Sequence, residues 1–344
     1  MKALVLQEPH RLTIEDRPIP EPGPGEVRVR IHRGGICGSD MHYFHHGGFG
    51  VVRMKAPMVL GHELAGVVDA TGAGVTAVSE GDRVAVNPSL ACGTCAYCRA
   101  GMPRQCSDMR FMGSAMRNPH IDGGFREYVV VTEQQAVPVG DEIGLDEAAV
   151  CEPLAVCLHA VSQGPDLKGK RVLVTGFGPI GALTLLAARH AGAASVSATD
   201  VAAGPLALAG QLGAAASYDV SVPGALAEEE KDRGRFDVVF ECSGHPSAVQ
   251  SALAVTRPGG SIVQVGILPD QMTLPFNPLV TKEITYRGTF RFDREFNQAA
   301  ALISSRAIDV RPIISGAFPF TEADAAFAFA QDRQRAIKVM LEFA

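Results

Sequence analysis

The first part of the chain carries short β-like runs: EVRVRIH at 26–32, in which apolar and polar residues alternate, then ELAGVVD at 63–69, DRVAV at 82–86 and REYVVV at 126–131. Gly- and Pro-containing turns separate these runs at intervals of about ten residues, the pattern of an all-β sandwich or barrel. From about residue 144 the period changes. Ala-rich, helix-competent stretches at 145–161, 178–191, 204–212 and 247–254 alternate with continuous apolar runs at 171–175, 194–200, 236–241, 261–265 and 283–288. Strand and helix in alternation predict right-handed crossovers and a parallel sheet buried on both faces. A further helix-like segment, 297–304, leads to a last strand-like run at 336–343. The expected class is α/β: a β-rich domain over 1–150, a doubly wound dinucleotide-binding domain over 151–287, and a tail, 288–344, that returns to complete the first domain.

Composition narrows the partners. The 37 acidic residues exceed the 31 basic ones, the net charge is −6, and the basic residues form no block. The electrostatic footprint of a nucleic-acid or anionic-membrane binder is missing, so a small-molecule partner is expected. The apolar stretches are interrupted by Gly or Pro short of a membrane span, and the N-terminal run lacks the basic start and apolar core of an export signal. A cytoplasmic location is therefore expected.

The segment RVLVTGFGPIG places Gly176, Gly178 and Gly181 in G-x-G-x-x-G spacing between an apolar strand and a long apolar helix, with Pro179 and Ile180 inside the turn. Such a turn brings backbone N–H groups and a helix N-terminus to a pyrophosphate. Asp200 ends the next apolar run about twenty residues on, where a carboxylate accepts ribose hydroxyls. It would repel a 2′-phosphate, and Val201, Ala202 and Ala203 include no arginine to receive one. NAD is expected over NADP.

Eight cysteines in 344 residues are too few for a disulfide scaffold, yet Cys92, Cys95, Cys98 and Cys106 fall within fifteen positions. Four thiolates on one loop close a tetrahedral Zn²⁺ shell and leave no place for substrate, so this zinc is expected to be structural. A ferredoxin cluster shares the C-x2-C-x2-C start but continues x3-C-P, whereas seven residues intervene here and Ser107 follows the last cysteine. Disulfides are disfavoured by compartment. A second, dispersed set comprises Cys37, His62, Glu63 and Glu152. Thiolate, imidazole and carboxylate supply three protein ligands and leave a fourth position open, which is the arithmetic of a catalytic zinc. Asp40 either supports these ligands or caps a turn. His45 and His46 read as exposed residues of a Gly-flanked loop, and Cys151, Cys157 and Cys242 as packing residues.

GGICGSD at 34–40, GHE at 61–63, GDRV at 81–84, the four-cysteine lobe, EPL at 152–154 and the glycine motif together resemble, in order along the whole chain, the zinc-containing medium-chain alcohol dehydrogenases of the polyol branch. The longer runs KAPMVLGHE, VAVNPS, MRFMGSAM, HIDGGF, SGHPS and TFRFDREFN are similar to the sugar-acid dehydrogenases of that branch. The resemblance implies a GroES-like β-rich catalytic domain beside a Rossmann domain, one catalytic and one structural zinc, and NAD-dependent oxidation of a secondary hydroxyl on a sugar acid or polyol. It implies Cys37, His62 and Glu63 as catalytic-zinc ligands, with Glu152 ligating directly or through water. Ser39 and His42 fall on proton-relay positions, Tyr43 on a substrate-pocket position, and Arg291 on a substrate-contacting arginine. Phe292 replaces the Tyr common beside that arginine in sorbitol dehydrogenases, which argues against sorbitol. Arg110 and Arg117 are further candidates for a substrate carboxylate. Sorbitol, xylitol, L-threonine and butanediol dehydrogenation remain alternatives, because the zinc and cofactor motifs do not separate them. A homotetramer or homodimer is expected by analogy, paired through the sheet edge near 261–265 and 283–288.

Overall fold

In a computed structural model that describes residues 1–343, the chain forms two compact units. One comprises Met1–Glu152, Phe296–Asp332 and the segment from Lys338 onward; the other comprises Pro153–Glu295 and Arg333–Ile337. Residues 288–295 and 333–337 thus group with the second unit, while most of the tail returns to the first, so the chain passes between units more than twice.

The first unit begins with the hairpin β1 (Lys2–Glu8) and β2 (Arg11–Asp16), which the sequence patterning had not singled out. Strand β3 (Glu26–Gly35) then runs through the centre of a seven-stranded sheet. Its Val27, Val29 and Ile31 are fully buried while Arg30 between them is exposed, the two-residue period of a half-buried strand.

Helix α1 (Gly38–His46) follows where a Gly-flanked loop was expected. Its first turn is closed by Asp40, whose carboxylate accepts the Cys37 N–H at 2.9 Å, the reach-back half of a capping box. Gly47, at φ +66°, ends it by donating to the Tyr43 carbonyl. His42 and His46 are exposed, but His45 is half-buried, its ring 5.0 Å from that of His10. Local capping overrode the loop-like composition.

The short β4 (Met58–Val59) joins β1, and β5 (Glu63–Thr71), β6 (Arg83–Val86), β7 (Tyr128–Thr132) and β8 (Ala136–Pro138) complete the N-terminal part of the large sheet. Helix α2 (Cys151–Gln163) leads into the second unit.

There, β9 (Arg171–Thr175), α3 (Pro179–His190), β10 (Ser195–Asp200), β11 (Ser217–Asp219), β12 (Phe236–Glu241), α4 (Pro246–Val255), β13 (Thr256–Gln264) and β14 (Thr285–Gly288) build a six-stranded, wholly parallel sheet in the order β11-β10-β9-β12-β13-β14. The order reverses between β9 and β12, the switch point of a doubly wound fold. The run 261–265, expected at a sheet edge, lies mostly within β13 between β12 and β14; β14, which pairs in parallel with β13 on one side, ends the strand order there. Cys151 and Cys157 are fully buried, and the Cys242 sulfur packs 3.7 Å from the Thr184 hydroxyl.

Helix α5 (Glu295–Ser304) then leads to β15 (Ile314–Pro319), α6 (Ala323–Ala330) and β16 (Lys338–Glu342). The last strand inserts antiparallel beside β3, pairing Met340 with Gly35, and β15 extends the sheet parallel to it.

Within the second unit, His159 of α2 and Glu295 at the head of α5 are both buried, with Nδ1 and Oε1 3.1 Å apart, and Glu295 Oε2 accepts the Asp293 N–H at 2.9 Å. Burial alone would raise the Glu295 carboxyl, but these hydrogen bonds outweigh it and hold the pKa down to about 2. A carboxylate depressed on folding stabilises the native state above its unfolded pKa and loses that contribution as pH falls through the folded value. Glu295→Gln should destabilise by about 1–3 kcal/mol at neutral pH. In calorimetry, the melting-temperature gap to the parent should narrow below about pH 4.5.

Candidate metal and dinucleotide sites

The first unit gathers Cys37, His62 and Glu63, whose sulfur, ring nitrogen and carboxylate oxygen all lie within 4.8 Å of one another. Cys37 caps α1, and His62 and Glu63 stand at the start of β5. Gly35 on the neighbouring β3 makes room: a Cβ there would fall 2.1 Å from Glu63 Oε2. Of the two readings of Asp40, the structure shows the cap. Asp40 caps Cys37, accepts the Gly61 N–H at 3.1 Å, and places Oδ1 3.8 Å from His62 Nδ1.

His62 Nδ1 is buried without a hydrogen bond, and a borderline-soft set of thiolate, imidazole and carboxylate surrounds one point. These donors fit a zinc ion held through His62 together with Cys37 and Glu63. Ser39 hydrogen-bonds Cys37. Enclosure, then the Glu63 charge, pushes the Cys37 thiol up to about 11. Glu152, buried in the first turn of α2, is not in the tight trio, yet its carboxyl is pushed up to about 8 by burial and by the charges of Glu63 and Cys37, with His62 and Lys338 opposing.

Sequence reasoning missed Lys338. Its ammonium is 1% exposed and donates to both Glu63 oxygens at 2.7 and 2.6 Å and to the Ile36 carbonyl at 3.1 Å. Burial would lower its pKa, but Glu63 and then Cys37 outweigh that and raise it. The one signal in the sequence was a single lysine in the apolar run IKVML. Tyr43 is 2% exposed, with its phenol oxygen accepting the Ala115 N–H at 2.9 Å.

Cys92, Cys95, Cys98 and Cys106 also come within 4.8 Å of one another. All eight cysteines are free thiols. Backbone N–H groups of Cys92, Cys95, Cys98 and Asp108 point at the sulfurs of Cys106, Cys92, Cys95 and Cys106 at 3.2–3.5 Å. Such bonds from Cys98 and Ser107 hold the Cys95 thiol down to about 5, whereas desolvation and then the Cys95 and Cys106 sulfurs push the Cys98 thiol up to about 12. The lobe's own buried core is only Cys106, Met109 and Phe111, so four thiolates on a metal would supply the cohesion that packing does not. Arg110 is exposed, and Arg117 is paired with Asp108.

In the second unit, Gly176 lies at φ +76°, and a Cβ at Gly181 would meet the Gly176 carbonyl at 2.0 Å. At Gly178 nothing lies within 4 Å of the Cβ position, and the residue caps α3 without a side-chain bond. The open approach and free helix N-terminus, with Pro179 and Ile180 in its first turn, fit a pyrophosphate. Asp200 Oδ2 accepts the Phe177 N–H at 2.7 Å and Oδ1 accepts those of Val201 and Ala202 at 2.8 and 3.0 Å, so the carboxylate also ties the glycine loop to β10. Arg291 adopts φ +53° and lays its guanidinium 4.8 Å from the Phe290 ring centroid; Phe292 is buried.

Residues 23–141 match the alcohol dehydrogenase GroES-like domain and 179–305 the zinc-binding dehydrogenase family. The chain is 44% identical over 318 residues, 92% of its own length and 91% of the relative's, to L-idonate 5-dehydrogenase (NAD(P)(+)) of Escherichia coli K12. It is 36% identical over 346 residues, 99% of its length and 96% of the relative's, to sorbitol dehydrogenase of Gallus gallus. The crystal structure of the Escherichia coli L-idonate 5-dehydrogenase superposes with a TM-score of 0.95 at 41% identity, covering 99% of this chain and 98% of that one. Among the described residues no helix is long and apolar enough to cross a membrane.

Replacing Lys338 by Met would leave Glu63 buried without its cation, a loss of about 3–5 kcal/mol. A bound divalent cation would relieve that deficit, so in scanning calorimetry the zinc-stripped variant should lose far more stability than the zinc-loaded one. Elemental analysis should find about two zinc ions per chain, falling to about one in Cys95→Ser, with dinucleotide affinity retained.

Proposed function

This chain belongs to the zinc-binding medium-chain alcohol dehydrogenase family, an NAD(P)-dependent group of oxidoreductases, and on that premise we propose that it oxidises the C5 hydroxyl of L-idonate to 5-keto-D-gluconate with NAD. The buried Cys37–His62–Glu63 donor set, with Glu152 beside it, carries the reading. In this reading it holds the catalytic zinc, and the Cys92–Cys106 lobe holds a structural one. When bound, zinc supplies Lewis acidity toward a carbinol oxygen and the dinucleotide supplies the hydride acceptor.

The chain's own residues do the rest. Cys37, His62 and Glu63 form the donor set, Asp40 holds the Cys37 and Gly61 backbone beside it, and Lys338 donates to both Glu63 oxygens. Ser39 and His42 are three residues apart on α1 and so share a face. Ser39 takes the substrate proton and passes it toward His42, whose exposed imidazole returns it to solvent. Gly176, Gly178, Pro179, Ile180 and Gly181 hold the pyrophosphate, and Asp200 holds the adenosine ribose and disfavours a 2′-phosphate. Tyr43 shapes the substrate pocket, and Arg291 receives the substrate carboxylate in a bidentate manner.

The free edge of β14, with Ile267, Phe276 and Val280 exposed nearby in sequence, supports pairing into a homodimer or homotetramer. Eight free thiols support a reducing, cytoplasmic setting. The similarity to the chicken sorbitol dehydrogenase favours a second reading, a sorbitol or xylitol dehydrogenase; L-threonine and butanediol are further alternatives.

A panel of L-idonate, sorbitol, xylitol, L-threonine and 2,3-butanediol, each with NAD and NADP, tests the reading. L-idonate with NAD should give the highest kcat/KM, and no oxidation of L-idonate would overturn the assignment. Arg291→Lys should raise KM for L-idonate about tenfold, the loss of one fork of a bidentate pair, and change KM for a neutral polyol little; equal changes would remove the carboxylate role.

A further inference from the structure

Glu241, the last residue of β12, is fully buried at the carboxyl end of the parallel sheet, and its hydrogen-bond partners are all neutral. Oε1 accepts the Thr175 hydroxyl at 3.2 Å, the Ser243 N–H at 2.8 Å and the Ser243 hydroxyl. The Gly244 N–H reaches both oxygens, at 3.2 and 3.1 Å. Oε2 also accepts from Gln264 Nε2, which uses its other hydrogen on the Gly266 carbonyl at 2.7 Å, while Gln264 Oε1 accepts the Tyr286 hydroxyl. The Glu241 backbone carbonyl accepts the Val265 and Gly266 N–H groups, both at 2.8 Å. One carboxylate thus ties together the loops that follow β12 and β13 and the end of β9.

Those loops pack backbone against backbone. A Cβ on Gly244 would fall 2.4 Å from the Ile267 carbonyl, one on Gly266 would fall 2.2 Å from the Gly244 nitrogen, and one on Gly176 would fall 2.6 Å from the Ser243 side chain. The surface formed by 242–245 and 265–267 therefore continues directly from the glycine loop.

Its ligand follows from topology. The pyrophosphate belongs at the N-terminus of α3, and Asp200 marks the carboxyl end of β10 on one side of β9 for the adenosine half. A dinucleotide crossing the switch point places its other half over β12 and β13, where Glu241 fixes the loops.

We propose that Glu241 is a positioning residue for the nicotinamide half of the dinucleotide, its buried carboxylate holding the 242–245 and 265–267 loops in the shape that half requires. Burying an ion without a counter-cation is unfavourable unless hydrogen bonds replace its water, and this carboxylate has several. An amide of the same size does not substitute. Its NH₂ would face the Ser243 and Gly244 N–H groups or the Gln264 amide, donor against donor, and one loop would be released.

The test separates the two halves of the ligand. For Glu241→Gln, titration with ADP-ribose, which lacks the nicotinamide, should give the parent affinity. Titration with NADH should weaken about tenfold or more, and kcat should fall with it. Ser243→Ala, which removes one donor and keeps the charge, should shift NADH in the same direction by less, and it is read alone if the Gln variant does not fold. Asp200→Ala serves as the opposite control and should weaken both ligands. Equal loss of ADP-ribose and NADH would show a merely structural role and overturn the proposal, as would a folded variant with unchanged NADH affinity and kcat.

Discussion

Between β5 and β16, 275 residues apart in sequence, the Lys338 ammonium is enclosed by the two Glu63 oxygens and the Ile36 carbonyl. That contact does two things at once. It fixes the last strand of the chain against β3, so the returning tail becomes part of the first sheet, and it places one positive charge among Cys37, Glu63 and Glu152. The desolvation of a buried ion pair roughly cancels its attraction, so the pair is weak evidence of added stability. Its consequence is electrostatic. Without the ammonium, two carboxyls and a thiol would share one enclosed space with no lysine to oppose the upward push of burial on Cys37 and Glu152.

Glu63 and Glu241 are both essentially buried carboxylates at the functional centres of their respective units, and they are accommodated differently. Glu63 is balanced by a cation. Glu241 is surrounded by backbone N–H groups, hydroxyls and an amide. A charge pair suits a place where another cation is to arrive, because the ammonium and the metal can share one carboxylate's field. A neutral cage suits a place where shape matters, since each hydrogen bond fixes a backbone position.

The parts legible in the sequence are those set by local spacing. The glycine motif, the four cysteines and the alternation of strand and helix each need no more than about thirty neighbouring residues to be recognised, and each corresponds to a compact feature of the structure. Contacts between distant segments were not legible: Lys338 with Glu63, or the insertion of β16 beside β3. Helix α1 was hidden for another reason. Its glycine-flanked, histidine-rich composition reads as loop, and only the Asp40 cap and the Gly47 terminator make it helical. Strand β13 begins at Thr256, its first half obscured in the sequence by Pro258, Gly259 and Gly260; the edge expected for 261–265 rested on analogy alone, and two neighbours cover that run.

The protonation pattern of the donor set leads to a further point about loading. Enclosure raises Cys37 to about 11 and Glu152 to about 8, so near neutral pH both groups hold their protons unless a cation compensates them. A metal takes the thiolate and the carboxylate, and their protons must leave. Lys338 offsets one negative charge, and the remaining deficit matches a divalent ion better than a monovalent one. The Cys92–Cys106 lobe directs backbone N–H groups at its sulfurs, which lower Cys92 and bring Cys95 down to about 5, while desolvation and the neighbouring sulfurs push Cys98 up to about 12. At each site at least one thiol, Cys37 or Cys98, must give up its proton for a metal to bind, so both sites should release their ions on acidification.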